Sequence, residues 1–161
     1  MDFSERLEKA VQRGQKRGEA RDVAARKKAL SVEELRRLHN DQRLAVSDHI
    51  EKCVGALSQH FLGFEQETLY GDAGWGTAVK RDDAGQRAGG GRASFYSRLE
   101  ITVRPLSSAF VVEIAAKGTI RNKEVFNRKH FEKIGEADLD TFRELIDVWV
   151  LEYAELFAAS G

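Results

Sequence analysis

Between residues 31 and 61, apolar side chains recur at intervals of three and four residues, which is the spacing of one face of an amphipathic helix. The stripe consists of Leu35, Leu38, Ala45, Val46, Ile50, Val54, Leu57 and Phe61. Ser31 and Glu34 precede it with the spacing of a capping box, in which each side chain satisfies a backbone amide at a helix N-terminus. The pattern therefore predicts a helix that begins near Ser31 and continues to about His60.

The preceding segment, residues 2–28, is rich in Glu, Lys, Arg, Ala and Gln and is also predicted to be helical. Its apolar positions are Phe3, Leu7, Ala10 and Val11, and then only Val23 and Ala24. Gly14 and Gly18 weaken its middle by about 1 kcal/mol each relative to alanine. A helix with so narrow an apolar face does not hold itself on a core. We therefore expect residues 1–30 to form a basic helical arm that is frayed or disordered unless a partner orders it.

From residue 64 onwards the pattern changes to the two-residue alternation of β-strands. The clearest strand is 95–103, where Phe95, Leu99, Ile101 and Val103 share one face and polar residues take the other. The other predicted strands are 64–70, 109–120 and 124–128, with turns at Pro105–Ser108 and at Asn122-Lys123. We expect these segments to form an antiparallel meander of three to five strands.

The last segment has the broadest apolar face in the chain, from Leu139 to Phe157, and Asp138 is a suitable N-cap for it. An antiparallel sheet with one apolar face needs a covering layer, and this helix is wide enough to supply it. The predicted fold is therefore α+β, with N-terminal helices, the β-meander and a C-terminal amphipathic helix packed across the sheet. Residues 31–161 are predicted to form a single domain that follows the arm.

Charge is balanced overall, since 26 Lys and Arg residues face 26 Asp and Glu residues. The distribution is uneven, because residues 1–60 carry 13 basic and 10 acidic side chains (+3), residues 61–135 carry 12 and 9 (+3), and residues 136–161 carry 1 and 7 (−6). The acidic C-terminal helix is thus a candidate partner for the basic arm, in the same chain or in another copy. Zero net charge argues against a dedicated nucleic-acid-binding protein.

Cysteine content and hydropathy narrow the class of protein further. The one cysteine, Cys53, excludes an internal disulfide framework, and no apolar run reaches the roughly 18 residues that a membrane span needs. The first residues also lack the apolar core of a signal peptide. These features favour a cytoplasmic protein without a membrane partner.

Residues 71–93 contain seven of the fourteen glycines, and loops of that length are usually functional or disordered. The cations in the segment are Lys80, Arg81, Arg87 and Arg92. One interpretation is a loop that contacts phosphate or nucleic acid, but no Walker lysine follows the glycines and no helix opens after them. The favoured interpretation is a short strand at 77–79 between flexible hairpin loops. Trp75, which glycines flank, is predicted either to anchor a partner or to tuck against the sheet edge.

His49, Cys53 and His60 lie on a broad face of the predicted second helix, and His and Cys four residues apart can both ligate zinc. No fourth ligand is evident, so we expect neither a metal nor a cofactor. A thiolate pair with histidine is not expected either, because burial in a helix raises the pKa of a cysteine. The chain contains no Gly-x-Ser-x-Gly elbow, His-Glu-x-x-His helix or kinase-type loop, and nothing in it looks catalytic.

The arm carries seven basic residues between positions 13 and 28, against two acidic ones, Glu19 and Asp22. They are Arg13, Lys16, Arg17, Arg21, Arg26, Lys27 and Lys28. Such a run is usually a solvated face, but it can also bind an acidic protein surface or, in a salt-sensitive way, nucleic acid.

The leading hypothesis is a small, non-enzymatic interaction module that self-associates through its N-terminal helices. The first alternative is weak nucleic-acid binding by the arm and the Gly/Arg segment. The second is a small-molecule-binding domain or enzyme with a pocket between the sheet and the C-terminal helix, an idea that rests on fold-level analogy.

Overall fold

The computed structural model of the chain describes residues 2–86 and 89–160, and gives the backbone alone for residues 27–30. Along the chain, five strands lie between two long helices. The elements are α1 (Phe3–His60), β1 (Glu65–Leu69), β2 (Trp75–Gln86), β3 (Arg92–Val103), β4 (Val111–Ile120), β5 (Lys123–Lys133), a 3-10 turn (Ile134–Glu136) and α2 (Leu139–Ala159).

The two predicted N-terminal helical segments follow each other within α1 without an interruption at Ser31. The capping-box spacing of Ser31 and Glu34 therefore lies inside a helix instead of at its start. Ser31 is flanked by helix-forming residues with no proline or glycine nearby, so the helical backbone continues through it at a small loss of propensity. The chain divides into two compact units, one up to Arg37 and the other from Leu38 onwards, and the second unit contains the sheet, α2 and the C-terminal part of α1.

The sheet is an antiparallel meander in the order β1-β2-β3-β4-β5, which confirms the predicted α+β class. β2 and β3 form its longest pairing, from Trp75 opposite Val103 to Gln86 opposite Arg92. The predicted short strand at 77–79 lies within β2, but the flexible loop predicted after it was wrong, because the strand continues to Gln86. Main-chain hydrogen bonds to β3 order a sequence whose glycines and charges suggest a loop, so tertiary pairing outweighs local propensity.

The hairpin between β4 and β5 turns at Arg121 and Asn122, one residue earlier than predicted. Both residues have positive φ angles, 49° and 71°, as the central residues of a type I′ turn do. The Asn122 side chain also accepts a hydrogen bond from the Tyr96 amide at 2.7 Å, which ties this turn to β3. β5 then continues to Lys133, five residues beyond the predicted strand end.

One face of the sheet carries the core, and both helices pack on it. The sheet contributes Val79, Leu99, Ile101, Val103, Val112, Ile114 and Ala116, all of them buried. From α1 come Val46, Ile50, Val54 and Leu57, and from α2 come Phe142, Ile146, Trp149, Val150 and Tyr153. The Tyr153 hydroxyl donates a hydrogen bond to the Thr119 carbonyl oxygen at 2.9 Å, which joins α2 to β4. The central parts of both predicted apolar stripes are thus confirmed as core, whereas Leu38 and Leu156, also assigned to the stripes, are 40% and 39% exposed.

The start of α2 also follows its prediction. Asp138 precedes the helix in an extended conformation, and its carboxylate accepts a hydrogen bond from the Asp140 amide at 3.0 Å. This satisfies one of the amide groups that a helix N-terminus leaves without a partner. Within the described residues, no helix combines the length and apolarity needed to cross a membrane.

Replacing Gly76 in β2 with alanine is expected to lower the free energy of unfolding by about 2 kcal/mol or more, as overpacking of a dense interior does. A Cβ atom there would overlap the Ile101 carbonyl oxygen and lie 2.8 Å from Thr102 Cα, both backbone atoms of β3. The measurement is the denaturant midpoint of the variant. The control is Gly89→Ala, where an added Cβ meets nothing within 4 Å. Equal midpoints for the two variants would contradict this account of the β2–β3 contact.

Candidate functional site

A cluster of three chemically active side chains joins the two helices of the second unit. His49 and Cys53 lie one helical turn apart on α1, and Asp147 reaches them from α2. Their nitrogen, sulfur and oxygen atoms all lie within 4.8 Å of one another. This is the one group of three or more His, Cys, Asp or Glu side chains with such convergence among the residues that the structure describes.

The distances show how closely the three atoms approach. His49 Nε2 lies 2.8 Å from Asp147 Oδ1 and 3.4 Å from Cys53 Sγ. The Cys53 thiol donates to the same Asp147 oxygen at 3.2 Å. A catalytic Cys-His-Asp relay uses one ring nitrogen for the thiol and the other for the carboxylate. Here Nε2 faces both partners, and one nitrogen cannot donate to Asp147 and accept from Cys53 at once, so the arrangement is not such a relay.

The core residues beside the cluster hold its backbone in place. On α1, His49 precedes the buried Ile50 and Cys53 precedes the buried Val54. On α2, Asp147 follows the buried Ile146. The side chains of His49 and Asp147 remain 19% and 51% exposed, so the cluster lies at the margin of the core, where solvent reaches it.

Burial, together with the neighbouring Asp147 carboxylate, raises the pKa of the Cys53 thiol to about 11. This confirms the expectation that burial would keep the thiol protonated. Partial burial acts to raise the pKa of Asp147, but the hydrogen bonds from Cys53 and His49 outweigh it and hold that pKa below its ordinary value. At neutral pH the cluster therefore contains a thiol and a carboxylate, and Cys53 is a poor nucleophile.

Two open grooves meet at Cys53. One groove is lined by Asp147 and by the apolar side chains of Ala56, Val150 and Leu151. The other is polar and is lined by Asp48, Glu51, Lys52, Gln59 and Gln66. The sulfur is thus approachable from two sides.

Sequence reasoning identified two of the three members of the cluster and missed the third. His60, the other candidate, is exposed on the last turn of α1 and does not belong to it. Asp147 was missed because nothing in the sequence says which turn of α2 faces which turn of α1. The one available signal was its position: like His49 and Cys53, it adjoins an apolar stripe.

The predicted binding cations of the Gly-rich segment do not converge in the structure. Lys80 and Arg81 are consecutive in β2 and so point to opposite faces of the sheet. Lys80 lies 3.9 Å from Glu67, and Arg81 pairs with Asp83 at 2.8 Å. Arg92 is exposed at the start of β3, and Arg87 lies outside the described residues.

Trp75 is the first residue of β2, where it is half-buried. The Arg43 guanidinium from α1 lies over its ring, 4.2 Å from the centroid, in a cation–π contact. The ring therefore packs against α1 from an interior strand and does not tuck against the sheet edge, and the role of partner anchor stays a prediction.

The basic residues of the arm lie on α1 within the first unit. Arg13, Lys16, Arg17 and Arg21 are exposed there, while the side chains of Lys27 and Lys28 lie outside the described part of the chain. The same helical segment exposes large apolar side chains, since Phe3 is 75%, Leu7 53% and Val11 52% accessible. We call these three residues the arm face.

A second surface with exposed apolar groups lies on α2. Val148 is 50% and Leu151 68% accessible, and acidic residues on the same side of the helix surround them. We call this side the α2 outer face; it consists of Glu144, Asp147, Val148, Leu151 and Glu155.

A pocket between the sheet and the C-terminal helix was the basis of the small-molecule hypothesis. An open, largely apolar groove lies where α2 ends beside the β4–β5 hairpin, lined mainly by Phe95, Ile120, Arg121, Val125 and Leu156. The Arg121 guanidinium covers the Phe95 ring at 4.1 Å. Among the residues that the structure describes, no group of three or more His, Cys, Asp or Glu side chains converges in this groove, and its charged lining consists of Arg121 and Lys123.

Comparisons with protein-family models, with curated proteins and with solved structures give no significant match for this chain.

Replacing Asp147 with asparagine is expected to speed alkylation of Cys53 several-fold at pH 8 to 9. Removing the carboxylate charge lowers the pKa of the thiol, so more thiolate is present at a given pH, and thiolate is the reacting form. The measurement is the rate of iodoacetamide modification by mass spectrometry across a pH series. Glu144→Gln, one turn earlier on α2, is the control and should react as the parent protein does. An unchanged Asp147→Asn profile would contradict the electrostatic role of Asp147.

Proposed function

We propose that this protein is a non-enzymatic interaction module that self-associates, with the arm face of one copy binding the α2 outer face of a second copy. The main observation in support is that the chain exposes two helical surfaces whose charge and apolar character are complementary. One is apolar and is followed along α1 by the basic run of residues 13–28, and the other is apolar with acidic neighbours.

Charge complementarity supports this pairing. Residues 1–37 carry 11 basic and 7 acidic side chains, a net of +4. α2 (Leu139–Ala159) carries 1 basic and 5 acidic side chains, a net of −4. Pairing arm with arm would bring two basic surfaces together, whereas pairing arm with α2 brings opposite charges together. Complementary charge speeds association and selects the partner surface.

The apolar groups supply the attraction that charge alone does not. Phe3, Leu7 and Val11 are spaced four residues apart and so follow one side of the helix. Val148 and Leu151 are three apart on α2. With a rise of about 1.5 Å per residue, the 21 residues of α2 offer a surface about 30 Å long, enough to lie along some twenty residues of the arm.

Energetics favour a reciprocal dimer over a single contact. Full burial of a large apolar side chain contributes about 1.5–3 kcal/mol. Association costs about 4–15 kcal/mol in lost translational and rotational freedom. Three arm residues contribute about 4.5–9 kcal/mol at most, which falls within the range of that cost, but two symmetric arm–α2 contacts double the gain for a single association. A closed twofold dimer uses both contacts at once.

The non-enzymatic part of the proposal is supported by two observations. The sequence contains none of the nucleophile or metalloprotease motifs considered above. The strongest chemical cluster holds Cys53 as a thiol, which is unsuited to nucleophilic catalysis at neutral pH.

The first test is the solution mass of the full chain by light scattering, with absorbance read at two wavelengths. We expect about twice the 18.1 kDa of one chain, without nucleic-acid absorbance. Leu7→Lys should shift the protein to the monomer, because it places a charge in the arm face. Gln12→Lys is the matched control, since it adds the same charge about 140° further round the helix, and it should remain dimeric. A monomeric parent protein, or co-eluting nucleic acid, would overturn the proposal.

The second test identifies the surface that receives the arm. Leu151→Lys should also yield a monomer, whereas Leu62→Lys, at a leucine that is 88% exposed outside both surfaces, should not. Mixing the Leu7→Lys and Leu151→Lys chains should restore a weaker dimer, because one intact arm then meets one intact α2 outer face. A Leu151→Lys chain that stays fully dimeric would show that the arms pair with each other.

A further inference from the structure

We propose that His49 Nε2, Cys53 Sγ and Asp147 Oδ1 together bind a divalent transition-metal ion of the zinc class. All three ligands belong to the second unit of one chain, and one of them, Asp147, is also part of the α2 outer face.

The spacing of the three atoms suits tetrahedral coordination. Zinc bonds of about 2.0 to 2.3 Å to oxygen, nitrogen and sulfur place neighbouring ligand atoms about 3.3 to 3.6 Å apart. The observed separations are 3.4 Å for nitrogen to sulfur, 3.2 Å for sulfur to oxygen and 2.8 Å for nitrogen to oxygen. An ion at the centre therefore requires each ligand to move by at most a few tenths of an ångström.

The three ligand atoms lie within 4.8 Å of one another. With its proton on Nε2, His49 donates to Asp147 Oδ1, and the Cys53 thiol donates to the same oxygen. A metal ion would take the place of these two protons, because the thiol proton leaves, the ring proton moves to Nδ1, and the ion accepts electron pairs from the nitrogen, the sulfur and the oxygen together.

The ligand types favour zinc over magnesium or calcium. Magnesium and calcium are bound by oxygen atoms, whereas a thiolate and an imidazole select zinc and similar transition metals. Two ligands one turn apart on a helix, with the third from a neighbouring helix, are held by the buried Ile50, Val54 and Ile146 beside them. The two grooves that meet at Cys53 leave room for water as a fourth ligand.

Metal binding releases a proton, so the measured affinity depends on pH. The ligand form of cysteine is the thiolate, so the Cys53 thiol must release its proton to the buffer as the metal–sulfur bond forms. Burial and Asp147 keep that thiol protonated at neutral pH, while Lys52 nearby acts in the opposite sense. His49 must bind in its neutral form. Affinity should therefore rise about tenfold per pH unit wherever one proton is displaced.

The experiment is a titration of the reduced full-length chain with Co²⁺, followed by isothermal titration calorimetry with Zn²⁺ at several pH values. We expect one ion per chain, a near-ultraviolet charge-transfer band from a cobalt–thiolate bond, and a higher melting temperature with metal. Cys53→Ser should abolish the band. Since loss of an outer-shell partner alone costs about 10- to 100-fold in affinity, His49→Gln and Asp147→Asn should each weaken binding by more than about tenfold.

His60→Gln is the matched control, because it removes an exposed histidine from the same helix and should leave affinity and spectrum unchanged. Melting curves without metal verify that each variant is folded. Absence of the cobalt band in the parent protein, or Zn²⁺ affinity that Cys53→Ser leaves unchanged, would overturn the site. The Leu7→Lys chain, expected to be monomeric, should still bind. Loss of binding there would contradict a site contained in one chain, whereas a dimeric Leu7→Lys chain that binds would contradict only the proposed self-association.

Discussion

Burial of two helices on one face of a twisted antiparallel sheet is the constraint on which the second unit depends. The inner face of the meander is almost wholly apolar through its central strands, and it is covered by the stripes of α1 and α2. Neither helix alone is wide enough to cover five strands, since a helix with its side chains is about 10–12 Å across and neighbouring strands lie about 4.8 Å apart. The two helices must therefore lie side by side, and every other feature of the unit follows from that arrangement.

The convergence of His49, Cys53 and Asp147 is one consequence. These residues adjoin the buried stripes on their respective helices, so the packing of Ile50 and Val54 near Ile146 and Val150 brings polar neighbours together at the margin of the core. The same packing turns the other side of α2 outwards. Val148 and Leu151 are consequently exposed among acidic residues, on a helix whose inner side is fully committed to the core. The proposed cation site and the proposed docking surface thus adjoin each other and share Asp147.

Predictions from the sequence succeeded where the spacing of residues within one helix or strand shows which of its faces is buried. The α1 stripe from Val46 to Leu57, the alternation of β3 and the Asp138 cap of α2 depend on spacing that is visible in the chain itself. The predictions failed where pairing with a neighbouring strand outweighs the local conformational preference of the segment. Trp75–Gln86 is rich in charges and glycine, yet it is the full-length neighbour of β3. Asp82 and Asp83, which belong to this segment, are strand residues for the same reason.

The sequence by itself determined the α+β class, the buried faces of both helices and the balance of a basic arm against an acidic helix. Each of these features follows from the periodicity of apolar residues, from the composition or from neighbouring residues, all of which can be read from the sequence. Only the tertiary structure decided that β2 is a long strand, that Lys80 and Arg81 lie on opposite faces, and that Asp147 completes a three-atom cluster with His49 and Cys53. These features depend on how segments that are far apart in the chain align with each other. Cys53 and Asp147, for example, are 94 positions apart. Register is set by the packing of whole surfaces, and no local pattern encodes it.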